Sequence, residues 1–242
     1  MKLEKDAFGQ EIWAYFNGKE AFEILERDDG FIDLDRGPLV YFEDFKNWPK
    51  IQKEGIKSAK GRVLDVGAGA GRVSLYLQKR GFDVLATDNS PLAIKVCKKR
   101  GVKKARVISI EEIDRFKPNS FDSVIMFGNN FGLFGSFKKA KKLLKKLHRI
   151  TSKNALIIAE STDPYKTDKP AHLQYHKFNI KRGRMAGQLK LRVRFEEYTG
   201  DWFDYLFVSR KEMKDILKDT GWKIKKFIDS GKSSYVAVIE KK

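Results

Sequence analysis

Two aspartates end short apolar runs of the chain: Asp65 in RVLDVGAGAGR and Asp88 in DVLATD, 23 residues further on. A carboxylate in such a place accepts hydrogen bonds from amino or hydroxyl groups, and an acid ending a second strand can take both hydroxyls of a ribose in one bidentate contact. Between the two, glycine recurs at positions 67, 69 and 71. Glycine at alternate positions lets the main chain take positive φ angles and leaves room for a ligand to lie against the backbone. The next helix would begin with N–H groups that have no partner within the helix. Two acceptors and an open turn are the chemistry of a nucleoside site. Taken singly, each aspartate has a plainer reading, as the end of a strand held by backbone donors.

These residues need a strand, a turn and a helix to hold them. Arg62 to Val66 is apolar and β-branched and reads as a buried strand, after which Val73, Leu75, Tyr76 and Leu77 resume a pattern compatible with a helix face. Asp83 to Asp88 reads as a second strand, and Asn89, Ser90 and Pro91 open a helix that runs to about Arg100. Further strands are predicted near Ala105 to Ser109, Ser123 to Gly128 and Ala155 to Glu160, with a helix at about Phe137 to Ile150. Such alternation argues a parallel sheet with helices on both faces. The strand ends Gly67, Asp88, Ser109, Gly128 and Glu160 are then expected to converge on one cleft. Near the end of the chain, Ser209 opens a helix with Glu212 as its capping-box partner and Gly221 as its stop. Trp222 to Asp229 and Ser234 to Glu240 read as a hairpin.

The spacing also selects the kind of nucleoside. A dinucleotide fingerprint, G-x-G-x-x-G/A, needs a small residue where Arg72 stands. With D-x-G-x-G-x-G the chain instead resembles the class I S-adenosylmethionine-dependent methyltransferases, whose first motif has this pattern. The resemblance implies that Gly67, Ala68, Gly69 and Gly71 pass beside the methionine part of S-adenosylmethionine and that Asp65 helps to hold its amino group. Asp88, with Asn89 beside it, would hold the ribose. For the adenine edge the resemblance points to Ser109 and the main-chain N–H of Ile110. Ser109 stands where relatives often carry an acid, and Glu111 is the alternative. Phe127, Gly128, Asn129 and Asn130 would stand opposite the cofactor. Their Gly-Asn-Asn turn is closer to small-molecule N-methyltransferases than to the D/N-P-P-Y/F motif of enzymes that methylate nucleic acid bases, and the glycine-rich run 132–135 would form a flexible wall. Asp163-Pro164-Tyr165 imitates that second motif but comes after the fifth strand, and reads as a turn.

The implied fold is α/β: a doubly wound, seven-stranded, mostly parallel sheet with a reversed final strand, an N-terminal helical cap and an antiparallel insertion after the fifth strand. Residues 1–242 are read as one domain, with 1–58 as the cap, 59–160 as the cofactor-binding core, 161–208 as the substrate-side insertion and 209–242 completing the sheet. The cap is rich in aromatic residues, of which Tyr15, Phe16 and Tyr41 are candidate pocket residues. In the insertion, Gln188 to Phe195 alternates as a strand.

Composition sets further bounds. No apolar run approaches the roughly 20 residues that span a bilayer, and the first residues lack a signal-peptide core, so a cytoplasmic protein without a membrane partner is expected. Cys97 is the single cysteine, which excludes an internal disulfide and reads as helix packing. Lys and Arg total 50 against 32 acids, for a net charge of +18. That balance makes an anionic partner worth considering, yet a Lys-rich, Cys-poor composition is also that of heat-adapted proteins. The lysines of 137–150 read as a solvated helix face. The basic run 177–194 reads either as a solvated strand face or as an electropositive cover over an anionic substrate. His172 and His176 fall four apart with no third ligand evident, so no metal is expected.

Methyl transfer from a sulfonium is a direct displacement, in which alignment matters most and a base is needed only if the acceptor must lose a proton. Asn129 and Asn130 are placed to orient an acceptor. Glu160, Tyr165, His172 and His176 are base candidates by location alone. The favoured function is transfer of a methyl group from S-adenosylmethionine to a small-molecule acceptor, with anionic acceptors among the candidates. One alternative is methylation of RNA or another macromolecule, which the charge favours although no separate nucleic-acid module is visible. Another is a non-catalytic protein that binds the same cofactor.

Overall fold

The structure is a computed structural model that describes residues 2–35 and 37–242. Its first elements are helix α1 (Ala7–Phe16), the hairpin strands β1 (Glu23–Arg27) and β2 (Ile32–Asp35), and the short helices α2 (Leu39–Phe42) and α3 (Lys50–Gly55). Strand–helix alternation comes next, with β3 (Arg62–Val66), α4 (Arg72–Lys79), β4 (Asp83–Asp88), α5 (Pro91–Lys99), β5 (Ala105–Val107), β6 (Phe121–Met126), α6 (Phe137–Ile150) and β7 (Thr151–Thr162). The remainder is α7 (Pro170–Lys181), β8 (Gln188–Phe195), β9 (Tyr198–Thr199), β10 (Phe203–Leu206), α8 (Arg210–Leu217), β11 (Trp222–Asp229) and β12 (Ser234–Lys241).

Seven strands form one mixed sheet in the order β11-β12-β7-β6-β3-β4-β5. Within it β4 runs parallel to β5 and β6 to β7, while β12 is antiparallel to both β7 and β11, which is the reversed final strand expected from the sequence. A second, antiparallel sheet has the order β10-β8-β1-β2, with β9 beside β8. The N-terminal segment, read as a helical cap, therefore also contributes a hairpin to this sheet. By contacts the chain divides into two compact units. One comprises Met1–Trp48, Leu64–Ile110 and Lys190–Phe203, the other Pro49–Val63, Glu111–Leu189 and Asp204–Lys242.

In the first unit α1 lies against α5, burying Ile12, Ala70, Ala93 and Val96 with Phe8, Trp13, Phe16, Tyr41 and Phe42 packed around them. Helix α5 starts where the sequence placed it: Pro91 occupies its first turn and the Ser90 hydroxyl accepts from the Ala93 N–H. The hairpin pairs with β8 so that Glu26 faces Arg192. Glu26 accepts a bidentate pair from Arg192 at 2.9 and 2.8 Å and a third bond from Arg194 at 3.3 Å. Both arginines are thus engaged by an acid of this chain, which offsets one of their two positive charges.

In the second unit the interior strands are apolar on both faces. Val124, Ile125, Met126, Ile157, Ile158, Val236 and Val238 have no exposed surface, each contributing about 1.5–3 kcal/mol of burial. Helix α6 buries Ala140, Leu143, Leu144, Leu147 and Ile150. Its lysines point outward, where Lys139 pairs with Glu111 and Lys146 with Asp114, as a solvated face requires. Helix α7 was not foreseen by periodicity, because its apolar residues make no stripe: Tyr175 and Asn179 are buried while Leu173, Phe178 and Ile180 are exposed. Among the described residues no helix is long and apolar enough to cross a membrane.

Helix α8 carries the capping box read from the sequence, with Ser209 and Glu212 satisfying each other's main-chain N–H groups. It ends earlier than the sequence suggested, with Lys218 as its C-cap, and Gly221 serves a different purpose. At φ +83° a Cβ on Gly221 would meet the His148 ring at 2.5 Å. Replacing Ser209 by Ala is expected to cost about 0.5–2 kcal/mol of unfolding free energy. Gly221→Ala is expected to cost about 1–3 kcal/mol from overpacking plus the left-handed strain; urea unfolding of the two variants gives the comparison.

Candidate active site

The first unit gathers Asp65, the 67–71 turn, Asp88, Asn89, Ser109 and Ile110. Strand β3 delivers Asp65 at its inner end and β4 delivers Asp88, and the turn is tied across them, since the N–H groups of Gly67 and Ala68 both donate to the Thr87 carbonyl at 2.9 and 3.0 Å. Gly67, Gly69 and Gly71 all take positive φ angles, as alternate glycines allow. At Gly71, the N-cap of α4, two demands coincide: φ is +80°, and a Cβ would sit 2.8 Å from Val102 and 3.0 Å from Cys97. The Cys97 thiol donates to the Gly69 carbonyl at 3.1 Å, so the residue read as packing also pins the turn, and its burial pushes the thiol pKa well up.

Both carboxylates are nearly inaccessible, at 3% for Asp65 and 5% for Asp88. The Ser74 hydroxyl donates to Asp65 Oδ2 at 2.7 Å, and the Ser74 N–H also donates to this carboxylate. Asp88 takes the Gly69 N–H on Oδ2 at 3.0 Å and the Ser90 N–H on Oδ1 at 2.9 Å. Burial pushes each pKa up to about 6, and these donors pull back only part of the shift. Neither has a salt-bridge partner among the described residues, although Arg72 acts on Asp65 through space. Each carboxylate oxygen of Asp88 keeps acceptor capacity beyond the N–H it already takes. A ligand carrying an amino group and vicinal hydroxyls fits this pair of acceptors, which is the composition of S-adenosylmethionine. Asn89 is exposed beside Asp88, Ser109 is half-buried and Ile110 is 9% exposed at the start of a 3-10 turn.

Above the turn stands Tyr41, whose ring would lie 3.1 Å from a Cβ on Gly69 and whose hydroxyl bonds Glu23 at 3.2 Å. Arg100 ties the two segments: its guanidinium donates to the Ala70 carbonyl at 2.6 Å and to those of Tyr41 and Phe42 at 3.2 and 3.4 Å, and it lies over the Phe42 ring. Tyr15 and Phe16, the other cap candidates, pack within aromatic contacts with Phe42 and Trp13.

The second unit holds Glu111, Phe127, Gly128, Asn129, Asn130, Glu160, His172 and His176. Gly128 and Asn129 both adopt the left-handed conformation, at φ +70° and +62°. Glu160 Oε2 accepts from the Gly128 N–H and from Gln52 Nε2, both at 2.7 Å. Thr162 donates to Asn129 Oδ1 at 2.9 Å, and the Tyr205 hydroxyl donates to the Asn129 carbonyl at 2.7 Å. Phe131 and Phe134 are fully buried in the 3-10 turn that starts at Asn130, and Gly132 lies directly under the Tyr205 ring. The run read as a flexible wall is thus packed. Gln52, Thr162 and Tyr205 carried no sequence signal, since each reaches the turn from a distant element.

Other sequence candidates sit apart from such bonding. The Glu111 carboxylate pairs with Lys139 Nζ at 2.5 Å. His172 Nδ1 bonds the Thr167 hydroxyl at 3.1 Å and His176 lies beside the Tyr165 ring. Asp163 accepts from the Tyr165 N–H at 3.0 Å in the turn expected for this decoy motif. Among the described residues no group of three or more His, Cys, Asp or Glu side chains is placed to hold a metal ion. For the turn itself, Gly71→Ala is expected to cost about 1–3 kcal/mol, while Gly81→Ala, at a similar φ of +85° but facing open space, loses only the smaller conformational part, about 1 kcal/mol. Chemical denaturation of both variants separates steric demand from backbone strain.

The chain is similar to known methyltransferases. Residues 64–159 match the family described as "Methyltransferase domain". Over 105 residues the chain is 35% identical to a tRNA (uracil(54)-C(5))-methyltransferase of Pyrococcus horikoshii, covering 43% of this chain and 24% of that protein. It is 32% identical over 121 residues to a demethylmenaquinone methyltransferase of Renibacterium salmoninarum, covering 49% of each. The chain therefore spans about half or less of the length of these curated relatives. The crystal structure of a SAM-dependent methyltransferase from Bacteroides fragilis, in complex with S-adenosyl-L-homocysteine, superposes with a TM-score of 0.82 at 27% identity, over 99% of this chain and 96% of that one. Residues 64–159, which hold the glycine turn and both aspartates, thus match a methyltransferase domain, and the whole chain shares the fold of a SAM-dependent methyltransferase.

Proposed function

We propose that this chain binds S-adenosylmethionine in its first unit and transfers the methyl group to a small-molecule acceptor. The observation that carries the reading is the pair of buried carboxylates at the ends of β3 and β4, held by main-chain and hydroxyl donors with no salt bridge among the described residues. Asp65 would take the amino group of the methionine part and Asp88 the two ribose hydroxyls, with the 67–71 backbone alongside. Ser109 and the Ile110 N–H would read the adenine edge, a reading favoured over Glu111 because that carboxylate is engaged by Lys139. When bound, S-adenosylmethionine supplies a methyl group already activated on a sulfonium.

The rest of the work is alignment. Glu160 serves better as a positioning group than as a base, since one of its oxygens holds the Gly128 N–H and the Gln52 amide together. Asn129, fixed through Oδ1 and its carbonyl, offers its Nδ2 to orient an acceptor. His172 bonds Thr167 and His176 lies beside Tyr165, and neither is assigned a step in this proposal. A small-molecule acceptor is supported by the Gly-Asn-Asn turn and by the demethylmenaquinone relative. The charge of +18 and the partial match to a tRNA methyltransferase favour RNA as a second reading. Incubation with methyl-labelled cofactor and either metabolite pools or tRNA tests both; label that enters only tRNA defeats the first.

The raised carboxylates predict a pH signature. With folded pKa values near 6 against 3.8 unfolded, the stability Asp65 and Asp88 contribute is fully present below the unfolded value and is lost progressively as pH rises from there through about 6. Ligand binding runs the other way, because only the ionised forms accept from both an amine and hydroxyls. Calorimetric titration with S-adenosylhomocysteine is expected to show affinity falling as pH drops through about 6, and Asp88→Asn to lower affinity on the order of tenfold or more at neutral pH. An affinity that stays flat from about pH 5 to about pH 8 defeats the assignment.

A further inference from the structure

A third buried carboxylate stands beside the pair, and neither spacing nor motif points to it. Asp6 precedes α1 and is 1% exposed. Its Oδ1 accepts from the Gly9 N–H at 3.0 Å, which caps α1. Its Oδ2 accepts from the Ser90 hydroxyl at 2.9 Å and the Leu92 N–H at 3.1 Å, so the same side chain also closes the first turn of α5, 86 residues along the chain. Ser90 in turn donates its own N–H to Asp88 Oδ1. An unbroken series of bonds therefore runs from Asp6 through Ser90 to Asp88.

Capping alone does not call for this arrangement. A serine caps a helix without the cost of burying a charge, as the half-buried Ser136 does for α6. Here the carboxylate is buried and close enough to Asp88 that its charge raises the cost of ionising Asp88. Space has been made for it as well: a Cβ on Gly9 would fall onto the Asp6 carboxylate and the Ser90 hydroxyl. What the construction secures is the position of the 88–92 turn.

We propose that Asp6 is a positioning residue for nucleoside recognition: by holding Ser90 and Leu92 it sets Asp88 to meet both ribose hydroxyls, so that recognition depends on the N-terminal segment being docked on α5. The inference rests on the reading of Asp88 as the ribose acceptor. Its test compares two probes, S-adenosylhomocysteine and its 2′,3′-dideoxy analogue, titrated into the full chain and its variants. The wild type is expected to prefer the hydroxylated probe on the order of tenfold or more. Asp6→Asn, which keeps the shape but replaces an acceptor by a donor facing Leu92 or Gly9, is expected to shrink that preference to about threefold or less. Gly9→Ala, which displaces the carboxylate without removing it, is expected to act in the same direction. Ser209→Ala, which removes a cap elsewhere, leaves the preference intact although it lowers stability. Should Asp6→Asn fail to fold, Ser90→Ala deletes the linking hydroxyl and carries the same expectation. An undiminished preference in the folded variants overturns the role of Asp6, whereas a wild type with no preference overturns the reading of Asp88 itself.

Discussion

Everything at this site depends on keeping Asp88 ionisable where water has been excluded. A carboxylate at 5% exposure loses most of its hydration, and no cation among the described residues replaces it. Main-chain N–H groups do so instead, one from Gly69 and one from Ser90. They reach it because the glycine turn doubles back over the end of β4, which needs left-handed backbone at alternate residues. A lysine or arginine in their place would stabilise the charge more strongly, but it would also occupy the remaining acceptor sites. Dipoles in place of a counter-ion leave the oxygens partly unsatisfied, which is what the proposed ribose contact would use.

The same reasoning accounts for how much of the first unit is built around one turn. The Cys97 thiol, the Arg100 guanidinium and the Thr87 carbonyl each bind a main-chain group of residues 67–70. Arg100 joins that turn to α2, and Asp6 joins α1 to α5 through the loop that carries Asp88. A turn of glycines has the most backbone entropy to lose on folding, and bonds from three sides reduce the freedom that would otherwise blur its geometry.

In the second unit a comparable problem is met by different means. Gly128 and Asn129 lie in the left-handed region, which for Asn129 is strained. Glu160, Thr162 and Tyr205 each hold one of their polar groups, and the buried Phe131 and Phe134 anchor the 3-10 turn that begins at Asn130. Part of the charge is paired locally: Glu26 takes two arginines of β8 and the acids near residue 111 take lysines of α6, while the excess of basic over acidic residues leaves the chain at +18.

Features whose causes are local could be read along the chain before it folds. Alternate glycines after an apolar run announce the turn, the period of apolar residues marks β3 to β7 and the buried side of α6, and Ser209 with Glu212 marks the start of α8. The positions of Asp65 and Asp88 at strand ends beside that turn are legible in the same way, because apolar runs that stop at a carboxylate mark them. Which residues serve that pair, its glycine turn and, in the second unit, the 128–129 turn is settled by folding alone. Asp6, Ser74, Gln52, Arg100 and Tyr205 are ordinary polar residues in sequence, and they acquire meaning because folding brings their polar atoms to particular main-chain or side-chain partners. The N-terminal hairpin and α7 escaped notice for a related reason. Their identity is set by pairing with β8 and by burial of just Tyr175 and Asn179, and neither leaves a repeating pattern along the chain. Periodicity records one face against a core, whereas a contact between distant residues is recorded nowhere until the chain has closed.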